Sequence, residues 1–337
     1  LILSKKYDVD LYEKKSDILN EASMCNQFRF HNGFHYPRSV KTVNEIKISN
    51  KAFIKFYGKD VFGITKNYYS VAKNLSLTDY SQYLTFLKRN KLNFTEKKNC
   101  KHMSSEIEGT ILSDEKILNY FKIKKKIRIK LKKSSVNLKL NSNFNKPISK
   151  YQNYHKIIIA TYVNNNNILK KLGLSTTQKF RYELIEKIAI ALPKQYKNIS
   201  CVIMDGNFVC VDPYLGTSYH LLSHVKHSKL EIVKNKFSKF TSKYKKALIK
   251  TKLSSIKMSN FNKFIDDGSK YLPFLKKAIY KYSYYVVRTI KFNVEKTAER
   301  TNTRKKINSQ VITILGGKWN TCVYEAKNIE KLLDKNA

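Results

Sequence analysis

Glycine and proline are both scarce, at 10 and 5 of 337 residues, against roughly 7% and 5% in ordinary chains. With so few glycines there is no phosphate-cradling P-loop, no GxGxxG and no GxSxG, so no motif-borne nucleotide or nucleophile-elbow chemistry is offered. No apolar run reaches membrane-spanning length, which argues against membrane insertion. Lys5, Lys6, Asp8 and Asp10 interrupt any apolar core near the start, so no cleavable signal peptide is expected. The first residue, Leu1, points to processing, trimming or a non-standard start codon. Cysteine gives no disulfide framework: Cys25, Cys100, Cys201, Cys210 and Cys322 are odd in number and scattered, as suits a reducing compartment. Acid is the remaining shortage, with 25 Asp and Glu against 66 Lys and Arg.

That imbalance leaves a formal charge of +41, which opposes compaction unless a polyanion neutralises it. Nucleic acid, an anionic membrane surface and an acidic protein are the candidate partners. A hydrophobic fraction of 42%, with 23 Tyr and 18 Phe, excludes general disorder. Lys, Asn, Ile, Tyr and Phe dominate, the mark of an AT-rich genome such as that of an organelle, a virus or a linear plasmid.

The pattern predicts an α+β fold: a basic β-hairpin arm, a small mixed core of hairpins and amphipathic helices, and irregular extensions. Residues 1–115 read as an irregular and helical N-terminal extension, with a basic-aromatic loop at 27–41 and a helix at 79–89. Residues 95–115 hold much of the local acid, including Glu115, and read as a linker or solvated face. Residues 116–167 read as the hairpin and a linker. In the stretch 121–140, Phe121, Ile123, Ile127, Ile129 and Leu131 alternate with cations, the period of a half-buried strand. Residues 168–337 read as the α+β core, with helices at 175–192, 229–253 and 274–291, a hairpin over 199–212 turned by Asp205-Gly206-Asn207, and a strand at 311–315.

Three chemistries bear on the residues. His220, His224 and His227 stand at i, i+4 and i+7, one face of a helix, and with Cys201 and Cys210 evoke zinc; without CxxC or HExxH no metal is assigned. Asp205 and Asp212 flank the second hairpin strand, but turn chemistry accounts for both. No catalytic residue and no cofactor are therefore assigned, and the chain reads as a non-enzyme. The positive signal is the interleaving of cations and aromatics, which neutralise phosphates and stack on bases. The candidate RNA-binding residues are Lys122, Lys124, Lys126, Arg128, Lys130 and Lys132 in the hairpin; Lys236, Lys239, Lys243, Lys246 and Lys250 in the basic helix; Arg300, Arg304, Lys305 and Lys306 in a C-terminal loop; and Arg29 and Arg38 near the N-terminus.

Near the C-terminus, Trp319-Asn320-Thr321, Tyr324, Lys327 and Leu332-Leu333 resemble the N-terminal signature of small-subunit ribosomal protein three, a family that includes the Asn/Lys/Tyr-rich Var-type proteins of fungal mitochondria. The resemblance covers about 20 residues. The family's KH domain, with its GxxG loop, does not follow here, so the resemblance implies the N-terminal piece of a split gene whose domain a second chain completes. The expectation is a structural constituent of a mitochondrial ribosome in the matrix, bound to ribosomal RNA and neighbouring ribosomal proteins. The alternatives are a nucleic-acid-processing or replication enzyme of an AT-rich plasmid, virus or organelle, and a genome-packing coat protein.

Overall fold

The computed structural model describes every residue except 145, 293, 295, 296, 336 and 337. Its α-helices are α1 (Val40–Tyr57), α2 (Tyr80–Arg89), α3 (Tyr120–Lys132), α4 (Asn165–Lys171), α5 (Lys245–Lys250), α6 (Phe261–Gly268) and α7 (Cys322–Asp334). The strands of the first half are β1 (Asp10–Tyr12), β2 (Arg29–Phe30), β3 (Phe62–Gly63), β4 (Lys66–Ala72), β5 (Phe94–Glu96), β6 (Ile107–Ser113), β7 (Lys116–Leu118), β8 (Asn137–Lys139) and β9 (Ile157–Ile159). Those of the second are β10 (Phe180–Ala191), β11 (Ile199–Met204), β12 (Val209–Pro213), β13 (His220–His224), β14 (Lys229–Asn235), β15 (Lys252–Leu253), β16 (Ile279–Lys291), β17 (Thr303–Lys306) and β18 (Val311–Leu315).

The fold is α+β. A ten-stranded mixed sheet in the order β15-β16-β10-β13-β12-β11-β4-β6-β5, with β14 also on β10, forms the spine. Both of its faces are covered. On one, Ile188, Ile190, Cys201, Val211 and Leu222 pack against Phe264 of α6 and the turn Pro273–Lys277. On the other, Tyr69, Val202 and Met204 meet Tyr83 and Leu87 of α2, while Ala189, Leu221 and Tyr284 meet Phe53 of α1, Ile123 of α3 and Val323 of α7. A small sheet, β2-β7-β3, lies in this second layer.

Local chemistry explains the elements that sequence periodicity places correctly. Asp79 and Gln82 close a capping box on α2, and β11 and β12 pair antiparallel across Asp205-Gly206-Asn207. The strand at 311–315 is β18. The basic hairpin does not form. Residues 120–132 are a helix, capped by Asn119, whose side chain accepts from the Lys122 N–H. Tyr120, Ile123, Ile127 and Leu131 recur three and four apart and turn inward, whereas Phe121 and Ile129, core residues in a strand, are 44% and 45% exposed. The run satisfies both periods, and tertiary packing selects the helical one.

The opposite error occurs in the second half. The helix expected at 175–192 is β10, and that at 274–291 is mostly β16; the two pair antiparallel from Phe180↔Lys291 to Ala191↔Ile279. β10 is buried on both faces, and such strands read as continuous apolar runs that periodicity alone cannot tell from a helix. The segment 229–253 splits into β14, the short α5 and β15. The N-terminal extension, expected to be irregular and helical, contains α1, started by Ser39 accepting from the Thr42 N–H and ended at Gly58, φ 81°. The acidic 95–115 stretch carries β6, an inner strand of the spine.

Candidate functional site

Between the spine and the β2-β7-β3 layer lies a buried polar network. β2 delivers Arg29, β4 Tyr69, β11 Ser200 and β12 Asp212, while Glu115 sits just before β7. Arg29 Nη2 contacts Asp212 Oδ1 at 2.5 Å and Ser200 Oγ at 2.8 Å, and Arg29 Nε donates to Asp212 Oδ2 at 3.2 Å. The Ser200 hydroxyl donates to Asp212 Oδ1 at 2.8 Å. Arg29 Nη1 also faces Glu115 Oε1 at 3.7 Å. Glu115 accepts the Tyr69 hydroxyl at 2.5 Å and the Asn32 N–H at 2.9 Å. Next along β10, Lys187 donates to Gln27 Oε1 at 3.3 Å, and Gln27 reaches the Leu221 carbonyl at 3.1 Å.

The electrostatics follow from burial and pairing. Burial alone would raise the Glu115 pKa, but His31 and Arg29 outweigh it and hold the carboxyl at about 2. Burial pushes Asp212 up, against the pull of Arg29 and Ser200, and pushes Lys187 down. His31 is the network's outlet: its side chain is 18% exposed, and Nδ1 stands 3.5 Å from the fully buried Glu115 Oε1. The rings of His35 and Tyr36 stand 5.6 and 5.3 Å from its own. An imidazole at an edge, backed by a buried carboxylate, is an arrangement that accepts a proton at its other nitrogen.

Of the residues taken for RNA contacts, Arg29 is at the centre of this network. Others are engaged within the protein: Arg38 Nε meets Asp205 Oδ2 at 2.6 Å, Lys124 and Arg128 pair with Asp17, Lys126 with Asp60, and Arg304 with Glu325. Lys130 lies over the Phe56 ring and Lys243 over that of Tyr244. Lys122 and Lys132 are exposed on α3, Lys236 follows β14, Lys239 lies in the loop beyond it, Lys246 and Lys250 belong to α5, and Lys305 and Lys306 to β17. These positions are distributed over α3, the segment from β14 to α5, and β17. Glu115 and Asp212, linker and turn residues by sequence pattern, are instead buried members of this network. The available signal was a lone charge inside an apolar run, as in "FRF" and "VCVDPY".

The histidines are not on one helix face. His220 and His224 belong to β13, and His220 Nε2 bonds the Tyr196 carbonyl at 3.0 Å. His224, His227 and Asp267 do gather, with ligand atoms within 4.8 Å of one another. The trio is already satisfied internally: His227 Nε2 bonds Asp267 Oδ2, Lys270 donates to Asp267 Oδ1 at 3.0 Å, and His224 Nδ1 accepts the Lys226 and His227 N–H groups.

No family model matches the chain. A curated relative, the FAD-dependent monooxygenase FPY4 of Fusarium mangiferae, is 30% identical over 117 residues, which are 35% of this chain and 32% of that protein. The chain thus matches about a third of that relative's length. Solved structures match far more widely. L-proline dehydrogenase from P. horikoshii aligns over 96% of this chain and 86% of its own, with a TM-score of 0.68 at 10% identity. Glycine oxidase from Geobacillus kaustophilus aligns over 95% and 85%, with 0.66 at 10%. L-alpha-glycerophosphate oxidase from Mycoplasma pneumoniae, with FAD bound, aligns over 96% and 88%, with 0.67 at 16%. At these identities the likeness shows the fold, which is one found in oxidases and dehydrogenases.

These findings overturn the ribosomal reading. A chain that shares its fold along nearly its whole length with oxidoreductases is not the N-terminal piece of a ribosomal protein. The resemblance at Trp319–Leu333 falls on the last helical turns of this fold, where Val323, Ile329 and Leu333 are core residues. Ribosomal RNA, ribosomal neighbours and a completing second chain fall with it, as do the nucleic-acid-enzyme alternative and the reading as a non-enzyme.

The FAD bound in one of these structures raises the question of fit. A dinucleotide lies on a glycine-rich turn from strand to helix, with its pyrophosphate at the helix N-terminus. The turn from β4 to α2 has no glycine, and its helix start is occupied by the Asp79 carboxylate, which accepts the Gln82 N–H at 2.7 Å. Asp205 adds a second carboxylate beside it, taking the Thr78 hydroxyl at 3.0 Å. In the turn from β2 to α1, a Cβ on Gly33 would come within 2.9 Å of Val43 Cγ1, so this glycine serves packing. The turn from β18 to α7 holds Gly316-Gly317, but buried Asn320 and Thr321 fill the helix start with bonds to Asn50, His31 and Asn302. Among the described residues the dinucleotide cradle is missing, and the residues present do not fit the cofactor.

Proposed function

We propose that the chain is an oxidoreductase acting on a small polar molecule, with His31 as the group that accepts the substrate's proton. The observation that carries this reading is the fold, shared along about 95% of the chain with oxidases and dehydrogenases of small molecules. The network supplies chemistry suited to it. Glu115, held ionised, faces His31 Nδ1 at 3.5 Å, leaving Nε2 as the nitrogen that takes a proton from a C–H, N–H or O–H group. Arg29, Tyr69 and Asn32 fix Glu115 in turn. Such a preorganised acceptor contributes about 10²–10⁴-fold in rate. Oxidation removes two electrons and two protons from the substrate: one proton passes to His31, and the other leaves with both electrons as a hydride taken by a soluble two-electron acceptor of the quinone or redox-dye class, which the assay supplies.

The test is substrate-dependent reduction of an artificial electron acceptor by the purified chain. Glycine, L-proline, other L-amino acids and glycerol 3-phosphate form the panel, each with and without added FAD. Turnover of at least one, lowered at least a hundredfold by His31→Asn and by Glu115→Gln, is expected. Absence of turnover across the panel under both conditions, with the chain folded, overturns the reading.

A further inference from the structure

Between Glu231 and Asp266 the chain carries ten lysines and no acid. The middle of this stretch is a short turn, Ser242–Tyr244, that runs directly into α5. After it come β15, the edge strand of the spine, and a second turn, Ile256–Met258. Glu231 stands at the base of the stretch and is taken up by Thr241, whose N–H and hydroxyl it accepts at 3.1 and 2.9 Å.

One side of this helical segment is held by the core. Ala247 is fully buried, and Tyr244 and Leu248 pack with it against Leu184 and Tyr285 of the spine. The Tyr244 hydroxyl donates to the Leu230 carbonyl at 3.1 Å, which fixes the segment's rotation. Helical spacing then sets Lys245, Lys246, Ile249 and Lys250 on the outer side. All four are exposed, Ile249 at 65%. Ile249 follows Lys245 by four residues and Lys246 by three, so two ammonium stems flank an aliphatic tip. With Ser242 and Lys243 these residues line an open recess. The turn after β15 adds Ile256, 49% exposed, and the exposed Lys257.

The cations of this face call for a polyanion, and the aliphatic tip calls for one with an apolar layer behind its charges. Nucleic acid offers base faces, which stack on aromatic rings, whereas the apolar group presented here is aliphatic. On α3, which is also basic and leaves Phe121 and Ile129 exposed, Asp17 stands on Lys124 and Arg128, and Asp60 on Lys126. We propose that the outer face of α5 docks on an anionic phospholipid bilayer, with Lys245, Lys246 and Lys250 on head-group phosphates and Ile249 in the acyl boundary. The contact lies on the bilayer surface and does not depend on the oxidoreductase reading.

The test is co-sedimentation of the full chain with lipid vesicles at about 0.15 M salt. Vesicles of phosphatidylcholine and phosphatidylserine in equal parts should carry the chain down, and vesicles of phosphatidylcholine alone should not. A net charge of +41 gives any anionic vesicle a diffuse attraction, so the variants decide. A lysine close to an anionic surface is worth about fivefold in binding, and Lys245→Gln/Lys246→Gln should weaken it at least tenfold. Lys194→Gln/Lys197→Gln, an equal loss of exposed charge between β10 and β11, should change it less than twofold. Ile249→Ser, with the charge untouched, should weaken it at least threefold. Every substituted side chain is exposed, so the variants should melt with the parent. Binding indifferent to Ile249→Ser marks a purely electrostatic surface, of the kind nucleic acid or an acidic protein fits, and overturns the proposal. Absence of sedimentation with the anionic vesicles, or equal weakening by the two lysine pairs, overturns it as well.

Discussion

Replacing Arg29 by Met tests the central network most directly. Asp212 is 0% and Glu115 1% exposed, and Arg29 is the group both face, at 2.5 and 3.7 Å. Its removal leaves Asp212 with the Ser200 hydroxyl and a weaker pull from Lys187, and leaves Glu115 with Tyr69, Asn32 and His31. Breaking one side of a buried pair costs about 3–5 kcal/mol, because a carboxylate stays desolvated without its counter-charge. Adding up the individual charge-assisted bonds, at about 1.5–3 kcal/mol each, would overshoot, since Ser200 and Lys187 take over part of the load. The loss is still a large share of the roughly 5–15 kcal/mol that holds a domain together. The second variant decides the mechanism. In Arg29→Met/Asp212→Leu both members are apolar, and at least about 2 kcal/mol of the loss should return, since an apolar pair of similar volume is often neutral. Urea unfolding of the parent, both single variants and the double closes the cycle. A single-variant loss below about 1 kcal/mol, or strictly additive losses, would show that water solvates the network and refute the argument.

Acid should destabilise the chain in a defined window. Burial lowers His220 and His224 to about 4; the unfolded state then binds more protons between about pH 6.5 and 4, so stability falls as pH drops through that range. His220→Gln should flatten this slope in pH-dependent melting, and an unchanged slope would exclude His220 as its source. Glu115, held at about 2, adds a loss as pH falls from its unfolded value toward 2, partly offset by Asp212, whose raised pKa acts in the opposite sense. Gly109→Ala places a Cβ 2.3 Å from Tyr80 Cδ1, whose ring is held by bonds to Glu96 and the Thr110 carbonyl; overpacking of about 1–3 kcal/mol should appear in urea unfolding, and a neutral result would show that the ring swings aside. Purified chain desalted after incubation with FAD should retain no stoichiometric flavin absorbance, as the capped helix starts require; retention of one flavin per chain would show that the cradle is built from another part of the molecule.

How much of this was legible depends on which physical quantity each element rests on. Where local chemistry decides, the sequence suffices: the helix at 79–89 and the Asp205-Gly206 turn are set by neighbours a few residues away. Where burial decides, it does not. β10 reads "FRYELIEKIAIA", with Leu184, Ile185 and Ile188 at helical spacing. It becomes a strand because β13, β14 and β16 supply its hydrogen bonds from 30 or more residues away. In "FKIKKKIRIKLK" the apolar set supports both periods, and the outcome depends on which side chains the second layer can receive: Ile123 and Leu131 are taken, Phe121 and Ile129 are left out.

The same distinction governs the site. A net charge of +41 is a sum, and a sum does not record what each cation faces. Arg29 and Arg38 were counted with the surface lysines, yet one is buried against Asp212 and the other meets Asp205. Asp212 looked like a turn residue because Pro213 follows it, yet its register opposite Leu221 turns it into the layer where β2 brings Arg29. A buried ion pair forms only when both partners arrive from distant parts of the chain, 183 residues apart here, so neither announces the other. The legible trace is indirect: a charge set between large apolar residues must find a counter-charge or be expelled. By that criterion Arg29 between Phe28 and Phe30, and Glu183 and Glu186 in β10, are the positions at which this sequence marks its own interior. Glu183 brings in Arg181 and Arg288, and Glu186 accepts the Ser283 hydroxyl and the Asn260 N–H.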